Sequence, residues 1–236
     1  PEMFKEVDGR NYFAASTRLI HFSSSGLAGV WAEENTREAI YDALRRKETF
    51  ATSGPRMKVR FFAGYNFENF QLNDLSLIQD AYKTSMPMGG TLNIDSNKNP
   101  TFLVWAIADP LGAPLQRTQI VKGWLEDGEH KEKVFDVACS DEMNVDPSNH
   151  RCPDNNAWVD LTDCSISADS GSREMKVFWQ DPEFKINQKA FYYARVIENP
   201  VCRWSTWDSI RNGQKPRSDI PSTIQERAWS SPIWLK

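Results

Sequence analysis

Histidine is scarce in this chain. Only His21, His130 and His150 occur, and no two of them form a His-x-His or His-Glu-x-x-His pattern. A metal hydrolase gathers several His, Asp and Glu side chains around one point, so the sequence predicts no complete metal centre of its own. Also missing are a Gly-x-Ser-x-Gly elbow and a Gly-rich phosphate loop, the signatures of a serine hydrolase and of a nucleotide site. No apolar run approaches the roughly 20 residues that a spanning helix needs, and none is predicted. Basic runs with interleaved aromatics are absent and the net charge is −4, which argues against nucleic acid as a partner. There is no internal repeat and no low-complexity linker, so whatever parts the chain has are expected to pack together. Its start, Pro1-Glu2-Met3, has neither a charged nor an apolar leader region, and any export signal is expected upstream of it.

What the chain does have is aromatic mass. Nine Trp and 13 Phe among 236 residues favour pleated, half-buried surfaces and predict a β-rich core. Cys139, Cys152, Cys164 and Cys202 all lie in the second half, without Cys-x-x-Cys or zinc-finger spacing. An even number of loop cysteines reads as two disulfides and an oxidising compartment. Sequence permits three pairings. The short separation of Cys152 and Cys164 favours closing that loop, leaving Cys139 with Cys202. Asp141, Asn144, Asp146, Asp154, Asn155 and Asn156 offer oxygen ligands of the kind calcium takes. They lack EF-hand spacing and read as a solvated, disulfide-stapled loop.

Residues 1–22 show no clear period and read as an irregular entry segment. Gly26 to Ala32 suits a short buried strand. Asn35 or Thr36 can cap a helix in which Ala39, Ile40, Ala43 and Leu44 form one stripe and Arg45-Arg46-Lys47 complement the C-terminal dipole. Thr49–Thr52 is a second strand, ended by Ser53-Gly54-Pro55. Beyond it, strands are predicted at 57–62, 101–108, 118–125, 133–138, 176–179, 191–197 and 228–235, with a hairpin closed around Asp127-Gly128. The reading is therefore α+β: a strand–helix–strand piece over 1–56, then a mainly antiparallel β-sandwich-like domain over 57–236.

Glu33 and Glu34 follow the first strand and precede the helix. They either complement the helix dipole or, in a β/α barrel, stand where sites assemble. Thr52 and Ser53 end the next strand. Several segments together resemble the bacterial family called domain of unknown function 3604: Gly26 to Ile40, Arg45 to Gly54, Arg60 to Gly64, Leu115 to Trp124, Ala190 to Val196 and Ala228 to Trp234. That family is similar, on its amino-terminal side, to the PHP (polymerase and histidinol phosphatase) metal-dependent hydrolases, whose distorted β/α barrel holds two or three metal ions that activate water. Their His-x-His and Asp-x-His ligand motifs are absent here.

The resemblance implies that residues 1–56 are the last elements of such a barrel. It also implies that the chain is the carboxy-terminal part of an exported, periplasmic or secreted hydrolase acting on an ester or amide. The upstream portion of that protein would be the partner and would hold the divalent metal (Zn, Mn or Fe), with none in this chain. Glu33, Glu34, Thr52, Ser53 and Arg56 match family motifs and are expected beside the barrel mouth, on the substrate side. The alternative is a non-catalytic β-sandwich module for a glycan or a protein, with Trp204, Trp207, Trp229 and Trp234 as candidate platform residues. Exposure of two such indoles on one flat face would favour it.

Overall fold

A computed structural model describes residues 3–13, 21–23 and 25–236. Strands β1 (Phe4–Val7) and β2 (Arg10–Phe13) form a hairpin over Asp8-Gly9, both at positive φ (51° and 74°), as a tight two-residue connection requires. Half of the expected irregular entry is thus a hairpin. The sequence misleads here because the pairing is local and mostly exposed. Residues 14–20 lie outside the described residues.

Next come β3 (Leu27–Val30), α1 (Arg37–Arg46) and β4 (Thr49–Thr52). Thr36 is the N-cap, its Oγ1 accepting from the Ala39 N–H at 3.3 Å. Lys47 closes the helix in the left-handed region at φ 60°, behind Arg45 and Arg46 in the last turn. β3 and β4 pair directly and antiparallel, Leu27 opposite Thr52 and Val30 opposite Thr49. Strands of a β/α barrel run parallel, so this piece differs from the barrel elements that the resemblance implied. The turn after α1 is short, and it returns β4 alongside β3 in the opposite sense.

The remaining elements are β5 (Lys58–Gly64), α2 (Leu77–Thr84), β6 (Met86–Pro87), β7 (Thr91–Leu92), β8 (Thr101–Ile107), β9 (Leu115–Glu126), β10 (Glu129–Cys139), β11 (Glu174–Gln180), β12 (Ala190–Glu198), β13 (Val201–Cys202), α3 (Trp204–Arg211), β14 (Thr223–Ile224), β15 (Arg227–Ser230) and β16 (Ile233–Leu235). The larger sheet has eight strands in the order β10-β9-β12-β15-β4-β3, with β16 beside β12 and β7 beside β16. A four-stranded sheet, β11-β8-β5-β6, lies against it. Pairing is antiparallel except between β16 and β7. The β-rich, mainly antiparallel expectation holds. β4 joins β15 in the larger sheet, so the strands of residues 27–52 belong to the same sheet as those beyond residue 57.

Alternation explains the packing. Along β12, Ala190, Tyr192, Ala194, Val196 and Glu198 are buried while Phe191, Tyr193, Arg195 and Ile197 are half-exposed. The inward set meets Phe61, Phe102 and Val104 of the smaller sheet, with the Phe102 and Tyr192 rings 4.6 Å apart. Truncating one such fully buried Phe to Ala costs about 3–5 kcal/mol. On the outer side of the smaller sheet, Phe62 and Leu103 are covered by Leu77 and Ala81 of α2. The β9–β10 hairpin turns over Asp127-Gly128 at φ 53° and 82°, as its sequence predicts. The stretch read as one strand over 228–235 is two, β15 and β16, both paired with β12. Pro232 sits at the break, where it has no N–H to offer the ladder.

Residues 140–173 carry only isolated bridges. Their acidic residues make Asx turns: Asp146, Asp154, Asp160 and Asp163 each accept from the N–H two residues on. Two disulfides staple the segment, Cys139–Cys152 and Cys164–Cys202. This corrects the expected pairing of Cys152 with Cys164 and of Cys139 with Cys202. The loop after β10 folds back on it, the Asp136 N–H donating to the His150 carbonyl and the Cys152 N–H to the Asp136 carboxylate. Two disulfides fit an oxidising environment. No described helix is long and apolar enough to cross a membrane.

Candidate functional site

Antiparallel pairing of β3 with β4 separates the residues expected to converge. Glu33 and Glu34 follow one end of β3, whereas Thr52 ends β4, and Ser53 and Arg56 follow it, at the opposite end of the hairpin.

At the first end, Glu33 lines a groove of about 450 Å³ with Trp31, Arg46, Glu48, Arg60 and Tyr82. The Arg60 guanidinium stacks over Trp31, 3.5 Å from the ring centroid, and donates to the Tyr82 hydroxyl at 2.8 Å. Tyr82 in turn donates to the buried Glu48 carboxylate. Burial, then the bond to Glu48, pushes the Tyr82 phenol up to about 12, so it stays a donor at neutral pH and supplies no base. Glu34 is exposed and accepts from the Thr36 hydroxyl at 3.2 Å, a place that suits the helix-dipole role. Nothing in the sequence joined Arg60, Tyr82 and Glu48, because they meet only through tertiary pairing.

At the second end, Thr52 is buried against β15 and Leu27. Ser53 Oγ donates to Glu226, and its N–H and hydroxyl clamp the Arg227 backbone. The Arg56 N–H donates to Asp109 at 2.6 Å. Between Asp109 and Glu226 lies Glu198, only 1% exposed. Neither of its carboxyl oxygens has a hydrogen-bond partner among the described residues. Burial first, then the charges of Asp109 and Glu226, raise it to about 8, so it is held mainly neutral at pH 7.

These carboxylates do not fit a metal centre. Both Asp109 oxygens accept backbone N–H groups, one Glu226 oxygen is taken by Ser53, and no group of three or more His, Cys, Asp or Glu side chains among the described residues could hold an ion. His21 and His130 are exposed, and His150 packs its ring on Phe135.

The third region is the outer face of the larger sheet. Phe191, Tyr193 and Arg195 project from β12, and their cross-strand partners Trp234 and Trp229 share that face. Phe191 touches Trp234 with centroids 5.1 Å apart and lies nearly parallel to Tyr193 at 6.5 Å. A Cβ at Gly123 would fall 2.3 Å from the Phe191 ring, so glycine is what lets that ring lie flat on the sheet. Trp204 and Trp207 sit apart, on α3. The sequence signal was Phe191-Tyr192-Tyr193: aromatics of both parities mark a strand with no purely polar face.

A two-layer, mainly antiparallel β-rich fold, with the β3–α1–β4 unit built into its larger sheet, defines the class. Residues 2–236 match the family described as protein of unknown function (DUF3604), and the chain belongs to that family. No curated protein and no solved structure matches it.

Proposed function

We propose that this chain is the carboxy-terminal, non-catalytic portion of an exported, PHP-type metal-dependent hydrolase. The metal (Zn, Mn or Fe) and the chemistry on a phosphoester or amide reside in the upstream portion. The observation that supports this reading is the unfilled apolar surface of the β3–α1 unit. Of the α1 stripe only Ala43 is fully buried; Leu44 is 51% exposed, and Leu27 of β3 is 44% exposed. Among the described residues β3 is also the edge strand of its sheet, a position at which a further element can pair. The test is metal analysis and hydrolysis of a generic phosphodiester by the full-length protein and by the 236-residue chain. The full-length protein is expected to hold metal and lose activity on chelation. Stoichiometric metal in the chain alone overturns the reading.

A second reading, a non-catalytic glycan-binding module, draws support from Trp229 and Trp234 sharing one face of the larger sheet.

A further inference from the structure

We propose that the outer face of the larger sheet binds a carboxylate-bearing polysaccharide, a polyuronate. This rests on the second reading and gives it a ligand class; it is independent of the hydrolase reading.

The face is built in rows. Each step of two residues along β12 advances about 6.7 Å. Phe191 with Trp234 forms one row, Tyr193 the next, and Arg195 with Trp229 the third. A fourth holds Ile197 between Arg117 of β9 and Arg227 of β15. Four aromatic rings therefore span about 13 Å of one strand direction, a length suited to a short oligosaccharide. Aromatic ring faces carry negative charge density and attract polarised C–H groups such as those on a sugar's apolar side.

Charge selects the kind of sugar. The whole chain is acidic, at −4, yet this face is rimmed with cations. Arg195 uses its Nε on Gln119 at 2.6 Å, and Arg227 bonds the Gln225 carbonyl. Neither has a carboxylate partner among the described residues, whereas Arg117 in the fourth row is paired with the buried Asp136 at 3.5 Å. At the opposite end, a groove of about 500 Å³ beside Trp234 is lined by Lys189 and Lys236, also without carboxylate partners among the described residues; Glu132, opposite Gly123, is an acid on the same face, whereas Lys131, opposite Trp124, belongs to the other. Guanidinium forks suit carboxylates, which they grip with two parallel bonds. A polymer whose repeating unit carries an apolar ring face and a carboxylate meets both features at once. Single-stranded nucleic acid fits less well, since the cations sit at the ends of the aromatic rows and form no continuous track for a phosphate backbone.

The experiment is affinity electrophoresis and calorimetry of the full 236-residue chain with polygalacturonate, hydroxyethylcellulose and poly-dT at low salt. Binding to polygalacturonate is expected. It will fall at least tenfold in Trp234→Ala and in Arg195→Gln, and be unchanged in Trp207→Ala, the same residue type on α3. Near-UV circular dichroism checks each fold; Lys236→Gln, at an exposed position, repeats the test should Trp234→Ala not fold. Equal binding of the neutral glucan overturns the polyuronate assignment while leaving the module reading standing. No binding to either polysaccharide overturns both. Undiminished binding by the variants, or preference for poly-dT, overturns the proposal.

Discussion

Two buried polar residues, Tyr192 and Glu198, lie on the inner face of β12, and they have opposite fates. Tyr192 donates to Asp181 at 2.7 Å, and Asp181 also accepts from the Lys122 ammonium at 2.7 Å, both charged side chains being almost fully buried. Asp181→Ala leaves that ammonium without its counter-charge, and we expect a loss of roughly 3–5 kcal/mol in urea unfolding. Replacing the set together (Lys122→Met, Asp181→Leu, Tyr192→Phe) will recover most of it, because a buried pair gains little over well-packed apolar groups. Glu198 has no such partner, and Gly112 leaves it room, since a Cβ there would lie 3.1 Å from its carboxyl oxygen. An ordinary glutamate ionises near 4.5, whereas the folded chain holds Glu198 up to about 8. Between those values the unfolded chain has given up a proton that the folded chain keeps. The contribution to stability is therefore complete below the lower value, declines as pH rises, and levels off above the upper one. Glu198→Gln removes this slope, with a gain at pH 9 on the order of a few kcal/mol over the native chain. Parallel unfolding curves for the two proteins at pH 5, 7 and 9 would contradict the assignment.

At the level of elements, the two disulfides close loops of unlike length, 13 and 38 residues. On chain entropy the shorter is worth about 3 kcal/mol and the longer about 4 kcal/mol. Replacing Cys164 and Cys202 by Ser is thus expected to lower the denaturant midpoint more than replacing Cys139 and Cys152; the reverse order would assign the larger role to packing around β10. The pairing was not legible in the sequence. Cys152 lies almost equally far from Cys139 and Cys164, and the difference in closure entropy is below about 0.1 kcal/mol. The fold-back of the loop onto Asp136 decided it, which is a tertiary event. Where the determinants are local, reading succeeds: a cap at Asn35 or Thr36, which the structure assigns to Thr36, Asp127-Gly128 turning the β9–β10 hairpin, and a strand over 191–197 are each written within a few residues. The helices α2 and α3 were missed because each spans only eight residues, two turns whose apolar positions a strand reading accommodates equally well.

For the whole molecule, the same distinction governs the site. Which residues are unusual could be read directly: adjacent Glu33 and Glu34, the Thr52-Ser53 strand end, the crowded aromatics. Which of them meet could not, because strand direction sets it, and β3 and β4 run opposite to the barrel pattern. The proposal that an upstream portion covers the β3–α1 surface yields a sharp expectation. Leu44 is half-exposed in this chain, so Leu44→Glu will change its stability by no more than about 0.5 kcal/mol, as for an ordinary surface site. If an upstream portion covers α1, the same substitution in the full-length protein puts a charge into an apolar contact and is expected to cost several-fold more, roughly 2–4 kcal/mol. Thermal unfolding of the two proteins with and without the substitution measures both costs. Equal, small losses in the two would mean that nothing covers α1, and the attachment surface would have to be sought elsewhere on the sandwich.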